Sequence, residues 1–215
     1  IYQCDWSSDV CSSDLMAQSW NIVGGLANQI SLGHAAFFGL GAYTSTILLI
    51  RVGLSPWLGV VAGMLVAAAA GALLSLPTMR LKGHYFALAT LAFGEVMRSI
   101  GNTWSSVTGG PAGISVPLVP DGGLVLMQFS STRPYFYIML VALLVITGIY
   151  WKISNSRLGY ELRAVKANVD SAEVIGIHTT LTKMLAATIS AGLMGACGVL
   201  DRKSTRLNSS HTDIS

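Results

Sequence analysis

The stretch NSRLGYELRAVKANVDSAEVIGIHTTLTK, residues 155–183, decides how this chain is read. It separates two apolar runs and carries Arg157, Arg163, Lys166 and Lys183 together with Glu161, Asp170 and Glu173. No other segment between Trp20 and Leu200 is so charged. A polar segment between two membrane spans lies in water, and its excess of Lys and Arg predicts the cytoplasmic side. Within it Leu158, Leu162, Val165, Val169 and Ala172 recur at spacings of four and three, which places them on one helical face. Asp170 followed by Glu173 reads as a capping box, and Gly176 as a left-handed helix stop. The expectation is two short helices meeting near Asn168, with an apolar face that suits lipid headgroups or protein equally.

Composition supports a membrane setting for the flanking runs. The chain has 215 residues, 52% hydrophobic and only 11% charged, against roughly 25% charged in a soluble domain. Its net charge of +3 is small and its basic residues fall mostly between spans, so no nucleic-acid partner is indicated. Cys4 and Cys11 lie near the start and Cys197 in a late apolar run, which suggests neither a disulfide framework nor a metal site. No cofactor is expected.

Both ends differ from the middle. Residues 1–15, IYQCDWSSDVCSSDL, and 201–215, DRKSTRLNSSHTDIS, are rich in Ser, Asp and Asn and lack a helical period. SSDVCSSDL and RKSTRLNSSH resemble translated sequencing-adapter read-through, so these segments are expected to be non-native or disordered tails around a membrane domain at 16–200.

Residues 20–50 are apolar for longer than the roughly 20 positions that a spanning helix needs. They also contain Asn28, Gln29, Ser31 and His34. In hydrocarbon these groups need internal partners, which predicts a glycine-rich helix broken near Gln29–Gly33 inside a bundle. Interhelical hydrogen bonding and substrate contact explain the cluster equally well. Residues 54–77 form the clearest span, with Pro56 in its first turn, Pro77 at its exit, and Gly59, Gly63 and Ala67 as a packing face.

Residues 84–100 form a third expected span. There Glu95 either faces a polar interior or pairs with Arg98 near a membrane edge, and His84 shares its face. Residues 101–133 make a long Gly- and Pro-rich loop with a turn at Thr108-Gly109-Gly110-Pro111. Residues 134–151 return across the membrane, and 181–200 begin another small-residue span. Arg80, Lys82, Lys152, Arg157, Arg163, Lys166 and Lys183 then share the cytoplasmic side, against Arg51, Arg98 and Arg133 outside.

NIVGGLANQISLGHAAFFGLGAYT, LKGHYFALATLAFGEVMRSI, TGGPAGI and SRLGYELRAVKANVDSAEVIGI together resemble the Liv-type permease subunits of ABC importers for branched-chain amino acids. Asn28 stands where that family usually has Gly. Importer permeases carry a cytoplasmic E-A-A-x-x-x-G loop, which Asp170-Ser171-Ala172 and Gly176 match in spacing while replacing Glu by Asp and Ala by Ser.

The resemblance implies an all-α polytopic helix bundle in the bacterial inner membrane, with a cytoplasmic coupling-helix loop. It also implies a second permease subunit, two cytoplasmic ATP-binding subunits and an extracytoplasmic substrate-binding protein. No GxxxxGK[ST] phosphate loop is present, so ATP hydrolysis is expected on a partner and not on this chain. Asp170, Ser171, Ala172, Glu173 and Gly176 would couple to the ATPase. Gln29, Ser31, His34 and Thr90 would line the substrate path, with Phe37, Phe38 and Phe86 as its apolar wall. A urea or short-amide permease of the same family, and a channel or secondary transporter working without ATP, are the alternatives.

Overall fold

A computed structural model describes residues 5–53, 55–78, 84–110, 113–114 and 133–209. Among them every regular element is helical. The order is α1 (Asp5–Asn21), continued by a π-helical turn (Ile22–Leu26), then α2 (His34–Val52), α3 (Pro56–Thr78), α4 (His84–Thr103) and the short α5 (Ser105–Thr108). After the loop come α6 (Arg133–Ser154), α7 (Arg157–Ala167), α8 (Val169–Val174) and α9 (Thr179–Ser209). By length and composition α2, α3, α6 and the Thr179–Asp201 part of α9 can each cross a membrane. The expected third span is the helix α4, but it is not among these apolar four, because His84, Glu95, Arg98 and Asn102 interrupt its run.

The centre is built from small residues. Gly59, Gly63, Ala67, Gly71 and Ser75 recur every fourth position of α3 and are buried. A Cβ on Gly59 would meet Ser45 of α2, one on Gly63 would meet Val199 of α9, and one on Gly71 would meet Ala191 of α9. Gly41 of α2 similarly leaves no room beside the backbone carbonyl of Gly195. Without side chains between them, the backbones of α2, α3 and α9 approach closely enough for dispersion to hold them in an apolar medium. The expected GxxxG face is thus one stretch of a longer small-residue seam.

These contacts also fix direction. Gly41 faces Gly63 and Ser45 faces Gly59, so α2 and α3 are antiparallel. Gly63 faces Val199 and Gly71 faces Ala191, so α3 and α9 are antiparallel and α2 runs with α9. On α1, the Ser19 carbonyl meets Ser190 while its hydroxyl, folded back toward the start of the helix, meets Cys197. α1 therefore runs against α9 and against α2. The break expected at Gln29–Gly33 is present, but the chain reverses there, so it joins two antiparallel helices instead of interrupting one crossing. The hydropathy of residues 20–50 runs smoothly through the reversal and gives no sign of the change in direction.

The stretch expected as an N-terminal tail is helical from Asp5, and Cys11 and Leu15 pack with Met139 and Ile146 of α6 and Cys197 of α9. Likewise α9 continues through Leu200 to Ser209, so neither expected boundary interrupts a helix. At the Lys- and Arg-rich end, α7 and α8 meet at Asn168, whose extended backbone ends one helix and begins the next. The N-cap is Asn168 instead of Asp170: its Oδ1 accepts from the Ser171 amide at 3.1 Å, and Asp170 sits in the first turn. Gly176 has φ +86°, as its reading as a helix stop required. Leu162, Val165 and Ala172 are buried inside the chain, which settles the apolar face in favour of protein.

The Glu95–Arg98 ion pair forms at 2.9 Å on an outward face. Left-handed Gly109 and Gly110 make the expected turn, while Pro111, the 115–132 segment, Arg80, Lys82 and the side chains of His84 and Arg133 lie outside the description.

Replacing Gly41 by Leu should lower stability in mild detergent by about 1–3 kcal/mol, since α2 must then retreat from α9. Gly39, where an added Cβ would find nothing within 4 Å, should accept Ala with stability unchanged or raised by up to about 1 kcal/mol. Equal losses in the two variants, read by thermal unfolding, would refute the seam.

Candidate functional site

The reversal between α1 and α2 is anchored by backbone and side-chain hydrogen bonds at several points. The amide of Gln29 donates to the Val23 carbonyl at 3.2 Å, closing the π-helical turn. Trp20 Nε1 donates to the Ser31 carbonyl at 2.9 Å, and the amide of Leu32 donates to Thr90 Oγ1 at 3.1 Å. Asn28 adopts φ +53°, a left-handed conformation that Gly takes freely and that Asn tolerates better than most residues. Gly33 is confined more tightly, because a Cβ there would lie 2.5 Å from the Thr90 carbonyl.

A buried chain of hydroxyls and imidazole runs through the reversal. Ser31 Oγ lies 2.9 Å from His34 Nδ1, and His34 Nε2 lies 2.8 Å from Ser190 Oγ. Ser190 donates its one proton to the Ser19 carbonyl at 2.6 Å. Its lone pairs then receive the Nε2–H of His34, which leaves Nδ1 to accept from Ser31. Every atom of the chain is served, and four elements are tied together: α1, the reversal, α2 and α9.

Beside this chain lies a closed cavity. Ser31, His34 and Phe37 line it with Phe86 and Thr90 of α4, and Ser75 and Thr78 of α3 contribute to its floor. Only about 10 Å³ of it is open to water, close to the limit for a single molecule. Small-ligand sites are typically about 300–1,000 Å³, so this conformation is shut to an amino acid. Two of the seven residues expected on a path stand apart. Phe38 is wedged between the core clusters, its carbonyl against Gly198. Gln29 is buried beyond the lining, and its Oε1 has no hydrogen-bond partner among the described residues.

Several participants were missed from sequence. Ser190 and Ser19 complete the His34 chain, and neither stands out in the sequence, Ser190 lying two positions after Thr188 in an apolar run and Ser19 between Gln18 and Trp20. Lys166 Nζ donates to the Gly25 carbonyl at 2.9 Å, joining α7 to the π-helical turn. On α8, Asp170, Ser171 and Glu173 face outward and Ala172 inward, with the Glu173 carboxylate accepting from the Thr179 hydroxyl at 2.7 Å. The following Val174 and Ile175 are 87% and 72% exposed at the tip of this polar end.

A family model described as the permease component of the branched-chain amino acid transport system matches residues 10–213. The chain is 32% identical over 203 residues to the high-affinity branched-chain amino acid transport system permease protein LivM of Salmonella typhimurium, covering 84% of this chain and 47% of the relative. The same figures hold for LivM of Escherichia coli. It is 24% identical over 166 residues to a probable branched-chain amino acid transport permease protein, LivH, of Methanocaldococcus jannaschii, covering 75% of this chain and 53% of the relative. The chain thus spans about half the length of these relatives. No solved structure matches it.

The His34 chain makes a measurable prediction. Ser190→Ala and His34→Ala, combined in a double-mutant cycle read by unfolding in detergent, should show a coupling of about 0.6–1.7 kcal/mol, the range for side-chain hydrogen bonds in membrane helices. Additivity of the two losses would show that they do not interact.

Proposed function

The chain belongs to the branched-chain amino acid transport permease family, and from that premise we propose that it forms part of the substrate path of an ATP-driven importer for branched-chain amino acids. The observation that carries this reading is the closed cavity, whose lining combines Ser31, His34 and Thr90 with Phe37 and Phe86. A zwitterion with a branched side chain needs both surfaces, hydrogen-bonding groups for its ends and an apolar wall for its middle. In the closed form those polar atoms are engaged within the protein, Ser31 with His34, His34 with Ser190, and Thr90 with the Leu32 amide and the Ala87 carbonyl, and opening would free them to meet substrate.

Opening requires movement at the reversal, and the Lys- and Arg-rich end supplies a lever. Its charge places that end in the cytoplasm. Asp170, Ser171, Ala172, Glu173 and Gly176 shape the α8 turn, and the outward Val174 and Ile175 make an apolar tip suited to a groove on an ATP-binding subunit. α8 joins α7 at Asn168, and Lys166 two residues earlier holds the Gly25 carbonyl. A shift of α8 driven by closure of the ATPase would pull on the π-helical turn and on the segment bearing Ser31 and His34. In this reading the chain is a transport subunit, and ATP is hydrolysed on two partner subunits. A second permease subunit completes the path, and an extracytoplasmic binding protein delivers substrate across the bacterial inner membrane.

The test is uptake of radiolabelled leucine by a host lacking its own importer, with the chain expressed alongside its ATP-binding, permease and substrate-binding partners. ATP-dependent uptake, competed by isoleucine and valine but not by urea, is expected. Uptake that survives ATP depletion, or competition by urea alone, would overturn the reading. Val174→Asp with Ile175→Asp should abolish copurification of the ATPase. Lys166→Ala should leave the ATPase bound while lowering transport per ATP hydrolysed.

A further inference from the structure

At the opposite end of the bundle, the last turn of α2 and the α5 turn enclose a groove of about 320 Å³ that plays no part in the cavity above. Arg51 stands at its edge, with Nη2 donating to the Ser106 carbonyl at 3.3 Å, and no carboxylate pairs with it among the described residues. Ile47, Ile50, Val107 and Ile114 supply an apolar wall of branched side chains. The far rim is bare backbone at Gly109 and Gly113: both are left-handed, and Gly109 packs so closely on the Gly113 carbonyl that no side chain fits between them.

We propose that this groove is an outer receiving subsite for a branched-chain amino acid, with Arg51 taking its carboxylate and the isoleucine and valine side chains taking its hydrocarbon. The proposal rests on the transport reading above and adds to it a second station on the route. Three features agree on this occupant. A guanidinium offers several donors in a planar fork, of which one is committed to Ser106. Its charge lies beside an apolar surface, the juxtaposition that a small apolar zwitterion presents in mirror image. The groove, at about 320 Å³, lies at the small end of ligand sites, which suits a single amino acid better than a peptide. Arg51 in the last turn of α2 also complements the helix dipole, a role that Lys shares but an uncharged residue does not.

The experiment titrates the full chain in lipid nanodiscs with L-leucine, glycine and leucinamide by ligand-observed NMR. Leucine should bind best. Glycine, with the same charges but no side chain, should bind more weakly, as should leucinamide, which lacks the carboxylate. Arg51→Gln should weaken leucine about tenfold, the loss of one charge-assisted contact, and leave leucinamide unchanged. Arg51→Lys should recover part of the loss. Equal leucine affinity in the wild type and Arg51→Gln, a parallel loss for leucinamide, or no leucine binding to the wild-type chain would each overturn the subsite. Uptake competed by branched-chain amino acids but unaffected by Arg51→Gln would reject this inference while leaving the importer reading in place. Absence of such uptake rejects the importer reading instead.

Discussion

Inside hydrocarbon a polar atom can be satisfied only by another atom of the protein, and in this chain that rule converges on His34. Its ring lies between two serines, and the second of them passes the demand on to a backbone carbonyl of α1. No member can leave alone without stranding its neighbour, at about 1–3 kcal/mol for a buried unsatisfied group. Because the chain of contacts joins α1, the reversal, α2 and α9, it sets the relative height of four elements whose apolar surfaces would otherwise slide. The small-residue seam supplies attraction between α2, α3 and α9, and the hydrogen bonds supply register.

The two polar ends are built differently. At the Lys- and Arg-rich end, Asn168 is at once the end of α7 and the cap of α8, so the two short helices turn about one residue. Lys166 meets a carbonyl in the π-helical turn, where wider winding loosens the ordinary ladder and a donor from outside is welcome. The contact is far apart in sequence and short in space, which is the arrangement a lever requires. At the opposite end the left-handed Gly109 and Gly113 give a rim without side chains, and among the described lining residues the charge is that of Arg51.

The fold class, the break at Gln29–Gly33 and the pair of helices meeting at Asn168 were legible because each depends on local pattern: apolar length, a polar cluster, a helical period. Five of the seven residues expected on the path line one cavity; for Ser31, His34 and Thr90 the reason is similar, since polar atoms in an apolar run must gather. The direction of α1 was not legible. Antiparallel and continuous arrangements of residues 20–50 bury the same side chains, and long-range contacts such as those of Ser19 with α9 distinguish them. Residues 1–15 were expected as a tail, and the packing of Cys11 and Leu15 with α6 and α9 was not legible, because burial against distant helices leaves no trace in a short Ser- and Asp-rich segment. The cap fell to Asn168 over Asp170 because the turn geometry, set by where α7 ends, chose between two residues that are alike in capping preference.

The two faces of α3 are both free of charge, yet they differ in kind. Inward lie Gly59, Gly63, Ala67, Gly71 and Ser75, and outward lie Leu58, Val61, Leu65, Leu73 and Leu76. What distinguishes them is girth. The information that orients this helix is therefore written in side-chain volume and is invisible to any scale of oiliness. Drift across generations should follow the same asymmetry. The outer ridge can exchange one bulky aliphatic for another with little consequence, whereas the inner groove is confined to the three or four smallest residues in the alphabet.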